Sequence, residues 1–145
     1  MVNYSDGKIY KLVCNLTGLI YIGSTCEQIL LRRLATHVID YKRYVNGKKH
    51  FISSYLVLEH NDYDIVLIES VPCNTKDELY KRERYHIENT DCVNCNIPTR
   101  TNKEYYIDNK DKIHQYYIDH KEYIQQRIKK YYLDHVKFNV KKNSK

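Results

Sequence analysis

The chain has 145 residues, 42% hydrophobic and 29% charged, with a formal net charge of +6. That length holds one compact domain and an appendage rather than two full domains. No apolar run is long enough to span a bilayer and no basic-then-apolar signal opens the chain, while five cysteines, odd in number and unevenly spaced, make no disulfide framework; a soluble intracellular protein of the cytoplasm or nucleus is expected.

Residues 8–14 and 19–24 are rich in β-branched and aromatic side chains and flank Asn15-Leu16-Thr17-Gly18, which predicts a hairpin. With a four-residue loop, Cys14 faces Leu19, Leu12 faces Tyr21 and Tyr10 faces Gly23. Alternation then puts Tyr10, Leu12, Tyr21 and Gly23 on one side, and Gly23 is expected to leave open space beside Tyr10 for a substrate. Residues 29–44 show helical spacing, with Leu30, Leu31, Leu34 and Val38 as the expected buried stripe. Arg33 and His37, four apart, share a face. A second helix is expected over 51–59, using Phe51, Ile52, Tyr55 and Leu56. The apolar run at 64–69 predicts a strand covered on both faces.

Asn74 or Thr75 caps a third predicted helix that reaches Ile87, with Asp77 and Glu78 in its first turn. Glu83 lies four residues after Leu79 and four before Ile87, which puts a carboxylate on the apolar stripe. A buried carboxylate needs a partner, either a cation such as Arg33 or a lysine, or a metal ion.

After Pro98 the character changes. Thr101 and Glu104 form a capping box that opens a helical stretch. Tyr105-Tyr106-Ile107-Asp108 recurs eleven residues on as Tyr116-Tyr117-Ile118-Asp119, and again as Tyr131-Tyr132-Leu133-Asp134. Eleven residues make almost three helical turns, so such copies lie along one side of a rod. Asn109 and His120 are the expected weak points, and residues 141–145 are expected to fray. Residues 1–99 hold 12 basic and 12 acidic side chains, and residues 100–145 hold 12 and 6, so the whole net charge sits in the tail. Tyr106, Ile113, Tyr117, Ile124 and Ile128 make an apolar stripe, with Lys110, Lys112, Lys121, Lys129 and Lys130 on other faces. The tail reads either as an arm tracking DNA phosphates or as a helix docking on the body or on a second copy.

Lys8-Ile9-Tyr10, Tyr21-Ile22-Gly23 and, ten residues past that glycine, Arg33-Leu34-Ala35-Thr36-His37 together resemble the GIY-YIG nuclease family. Lys8 stands where the family usually has glycine. The resemblance spans roughly the first two-thirds of the chain and implies metal-assisted hydrolysis of DNA, leaving a 5′-phosphate and a 3′-hydroxyl. It implies that Tyr10 is the general base, its phenolate stabilised by positive charge because a free phenol titrates near 10. Tyr21 would hydrogen-bond water or phosphate. Arg33, rather than its neighbour Arg32, would stabilise the phosphorane, and His37 would orient the water or bind phosphate. Glu83 would be the metal-binding carboxylate, for Mg²⁺ or Mn²⁺ in its place. Asn94 matches a supporting asparagine, with Asn96 as a close rival. Cys92-x-x-Cys95 has no second pair at ligand spacing, so zinc is not expected.

The expected architecture is an α/β nuclease domain over residues 1–99, with a small three-stranded antiparallel sheet flanked by helices, and a helical, basic extension over 100–145. Two other readings stay open on the sequence: a DNA-binding protein that keeps the fold without cutting, and a helical interaction protein. One active site cuts one strand at a time, so a double-strand break would call for dimerisation or sequential attack.

Overall fold

The computed structural model describes residues 2–142. The chain divides into two compact units, Met1–Thr99 and Arg100–Lys145. The first is built on strands β1 (Lys8–Cys14), β2 (Ile20–Thr25) and β3 (Tyr63–Ser70), antiparallel throughout, in the order β2-β1-β3. The hairpin register is the one expected, with Tyr10 opposite Gly23 and Leu12 opposite Tyr21.

Helices cover both faces of the sheet. Strand alternation sends Ile9 and Ile22 to one face, where they pack with Leu79 and Ile87 of α3 (Lys76–Glu88). Tyr10, Leu12 and Cys14 go to the other face, against Val57 of α2 (Tyr55–Leu58) and Leu30 and Leu34 of α1 (Leu30–Val45). Each such aliphatic side chain contributes about 1.5–3 kcal/mol when fully buried. β1 is therefore the doubly covered strand. β3, expected to be covered on both faces, is instead a sheet edge with Val66 and Leu67 exposed. Its apolar run marked strand formation correctly but said nothing about position in the sheet.

Local chemistry sets the element ends. Thr75, not Asn74, caps α3 by accepting a hydrogen bond from the Glu78 N–H at 3.3 Å. Lys8 ties two loops together: its Nζ donates to the carbonyls of Asp6 at 2.9 Å and Glu27 at 3.1 Å. The buried face of α1 differs from the expected stripe. Leu31 is 67% exposed, and His37 takes an inward position with Leu30 and Leu34. Leu30, Leu34 and the half-buried Val38 lie where expected, so apolarity found the face but wrongly included Leu31 and passed over His37. α2 is one turn long, and Phe51 and Ile52 precede it rather than belonging to it.

The second unit consists of α4 (Asn102–Asp119) and α5 (Lys121–Lys142). The Thr101–Glu104 capping box forms as read. The helix runs through Asn109 and breaks at His120. Of the residues expected to fray, 143–145 lie outside the described residues. No helix among the described residues is long and apolar enough to cross a membrane.

Candidate active site

The site wraps around the β2 edge of the sheet. Side chains alternate along β2, so Gly23 faces the α1 layer and Ser24 faces α3. Two helices on opposite faces thereby deliver their polar groups to the same strand end. A cleft of about 410 Å³ opens there, bordered by Tyr21, Gly23, Ser24, Arg33, Glu83 and Asn94.

From the α1 side come Arg33 and His37. Arg33 Nε–H donates to the Tyr10 hydroxyl at 2.9 Å, and the same hydroxyl lies 2.7 Å from His37 Nε2. A guanidinium can only donate, which leaves Tyr10's own proton for His37 Nε2 and puts the imidazole proton on Nδ1. Burial and the charge of Arg33 lower the His37 pKa to about 4, so the ring is neutral and able to accept. The His37 ring also meets Tyr21 edge-on at 5.6 Å. Burial raises the Tyr10 pKa, with Arg33 working against it, so the resting group is a phenol rather than a phenolate. Tyr21 is raised as well, again through burial.

Tyr10 is 0% exposed and lies behind the cleft wall, whereas Tyr21 and Arg33 border the cleft itself. A Cβ built on Gly23 would stand 2.6 Å from Tyr10 Oη and 2.9 Å from its Cζ. The space beside Tyr10 is thus filled by Tyr10's own ring, not left open as expected. Glycine is needed there because the phenol and the strand backbone touch, and Gly23 makes the wall between phenol and cleft as thin as a main chain permits.

From the α3 side comes Glu83, buried on the stripe between Leu79 and Ile87. Its Oε2 accepts a hydrogen bond from Ser24 Oγ at 2.5 Å. Arg33, the cation weighed as its partner, spends its Nε–H on Tyr10 instead. Burial raises the Glu83 pKa, opposed by the Ser24 hydrogen bond and by the charge of Arg33. Among the described residues Glu83 is the one carboxylate lining the cleft, and no group of three or more His, Cys, Asp or Glu side chains gathers to hold a metal. A lone carboxylate beside an open cleft is a donor set that suits Mg²⁺, which keeps several waters and binds through one or two carboxylates plus substrate oxygens.

Asn94 and Asn96 have different surroundings. Asn94 clasps the outer edge of β2, its Oδ1 accepting from Ile22 N–H and its Nδ2 donating to Ile22 C=O, both at 2.8 Å. Asn96 borders the cleft as Asn94 does. The five lysines of the tail, Lys110, Lys112, Lys121, Lys129 and Lys130, are exposed on α4 and α5.

Ser24 was missed in the sequence. Its signal was present in the alternation that pairs it with Ile22, but reading it requires knowing that α3 covers that face. Phe51, Ile52 and Tyr80, which also line the cleft, were read as ordinary helix positions or passed over.

The model of the GIY-YIG catalytic domain family matches residues 6–94. Among solved structures, the chain is similar to the catalytic domain of the intron endonuclease I-TevI in a glutamate-to-alanine mutant. Identity is 21%, the match covers 66% of this chain and 96% of that chain, and the TM-score is 0.46. No curated protein matches the chain.

Proposed function

The chain belongs to the GIY-YIG nuclease family, and on that footing we propose that it is a Mg²⁺-dependent DNA endonuclease whose chemistry takes place in the cleft at the end of β2. The observation that carries this reading is the meeting of Arg33 and Glu83, from helices on opposite faces of the sheet, in one cleft with the Tyr10–His37 pair behind it.

In this reading Arg33 faces the scissile phosphate with the guanidinium edge left over from its Tyr10 bond, and stabilises the charge that grows as phosphorus becomes five-coordinate. Tyr10 acts as general base, its own proton passing to His37 Nε2; its hydroxyl is buried behind Gly23, so the attacking water reaches it only when DNA binding shifts that strand end. Tyr21 hydrogen-bonds the water or a phosphate oxygen. Water oxygen bonds to phosphorus, the bond to the 3′ oxygen breaks, and that oxygen takes a proton from solvent in the open cleft, giving a 5′-phosphate and a 3′-hydroxyl. Glu83, steadied by Ser24, would hold Mg²⁺ or Mn²⁺, which when bound would offset negative charge on the phosphate. Asn94 holds the β2 backbone that positions Tyr21 and Gly23. In the second unit the five lysines contact DNA phosphates and raise affinity without reading sequence.

The test is supercoiled plasmid incubated with and without Mg²⁺, using wild type and Glu83→Ala. Metal-dependent nicking that disappears in the variant is the expected result. Retardation of DNA without nicking would replace this reading with that of a DNA-binding protein, and neither activity would leave the helical interaction protein.

A further inference from the structure

Part of the cleft lining is apolar, and the chemistry above makes no use of it. Phe51 and Ile52 line it at 49% and 39% exposure. Such side chains on a lone surface are usually free to turn, but Phe51 is braced. Its ring meets Tyr44 at 5.8 Å and Tyr55 at 6.1 Å, at steep angles of 67° and 87°, and Tyr44 and Tyr55 stack on each other at 5.0 Å. Tyr55 is buried, so the exposed ring stands on a fixed aromatic base. Ile97 and Pro98 extend the apolar lining. Tyr80, also in the cleft, has the Lys76 ammonium 4.9 Å over its ring.

One cleft therefore holds both polar groups, Arg33 and Glu83, and apolar side chains that include a braced flat ring. A nucleotide has the same two halves, an anionic phosphate and a flat base that stacks on aromatic side chains. In a matched duplex that base is turned inward and paired, and exposing it costs unpairing and unstacking, which an unpaired nucleotide has already lost. We propose that the cleft receives an unstacked nucleotide, its base against Phe51 and Ile52 and its phosphate at Arg33 and Glu83. The preferred substrate is then DNA with an unpaired nucleotide beside the scissile bond, as at a bulge, mismatch or branch. This inference rests on the nuclease reading and names the substrate class for the same site.

The experiment uses the full chain with Mg²⁺ and two pools of random-sequence duplex DNA. One pool is fully matched, and the other carries a single unpaired nucleotide at a fixed position. Cut positions are read by sequencing. Wild type is expected to cut at the phosphates flanking the unpaired nucleotide roughly tenfold more often than elsewhere, the scale of one stacked base. Phe51→Ala loses most of that preference and Phe51→Trp keeps it. Phe51→Leu, which retains the contact with Tyr44 and Tyr55 but lacks a flat face, gives the same readout should Phe51→Ala not fold. Cuts spread evenly by wild type, or a preference unchanged in both Phe51→Ala and Phe51→Leu, overturn the base site and leave the nuclease reading standing. No cutting of either pool overturns both.

Discussion

Tyr10 fills the space that a side chain at position 23 would need, and the two residues can be tested as a pair. A methyl group at position 23 would meet Tyr10 Oη at 2.6 Å and Cζ at 2.9 Å, so Gly23→Ala is expected to cost about 1–3 kcal/mol through overpacking. In a Tyr10→Phe background the nearer atom is gone and the cost of Gly23→Ala shrinks; simple additivity in denaturant unfolding would refute the contact. Glu83 illustrates conflict between stability and function. Its carboxylate is buried with its pKa raised by that burial, so Glu83→Gln removes activity while the metal-free melting temperature holds or rises. A lower melting temperature would mean that the carboxylate stabilises the fold. His37 gives a dependence on pH. The unfolded chain takes up a proton near the ordinary value of 6.5, whereas the folded ring resists until about 4. Between those limits the unfolded state binds more protons, so the contribution is intact above 6.5 and drains away as pH falls towards 4. Wild type should therefore lose more melting temperature than His37→Gln over that window, and equal losses would contradict the buried neutral ring.

At the scale of elements, β2 matters most. It is an edge strand, and exposed strand edges are sites of fraying and unwanted pairing. Here the edge is closed by the segment after α3: Val93 N–H donates to the Ile20 carbonyl at 2.8 Å, and the Asn94 amide imitates a strand partner for Ile22. Asn94 thus secures the strand that carries Tyr21, Gly23 and Ser24 while making no bond to the catalytic groups themselves. Asn94→Ala is expected to cost about 1–3 kcal/mol by leaving two backbone groups of a buried residue unpartnered. Amide hydrogen exchange at Ile22 should speed up more than at β1 residues; uniform change across the sheet would count against a local clasp. The helices are simpler, since their caps follow from side-chain chemistry within four residues: Thr101 caps α4 where read, and Thr75 is one of the two candidates read for α3.

For the whole molecule, charge is the property that separates the two units, with a balanced body and a tail holding all the excess cations. Replacing Lys110, Lys112, Lys121, Lys129 and Lys130 together with glutamine should weaken DNA binding at low salt. It should also flatten the fall of log affinity with log salt, by up to about 4.5 if every lysine meets a phosphate. A slope identical to that of wild type would exclude the tail from the DNA contact and favour docking through its exposed tyrosine and isoleucine side chains.

Sequence alone determined whatever depends on near neighbours. The hairpin register, the capped starts of α3 and α4, the break at His120 and the inward placing of Glu83 all follow from alternation, helical period or capping chemistry over a few residues. Tertiary structure decided which layer covers which face. That choice left β3 at an edge, turned Leu31 outward and His37 inward, filled the space at Gly23 with the Tyr10 ring, gave Glu83 a serine partner and left Phe51 standing in the cleft. None of these follows from alternation or helical period alone, because each depends on which side chains and segments pack together, and periodicity fixes a face without naming what will lie against it.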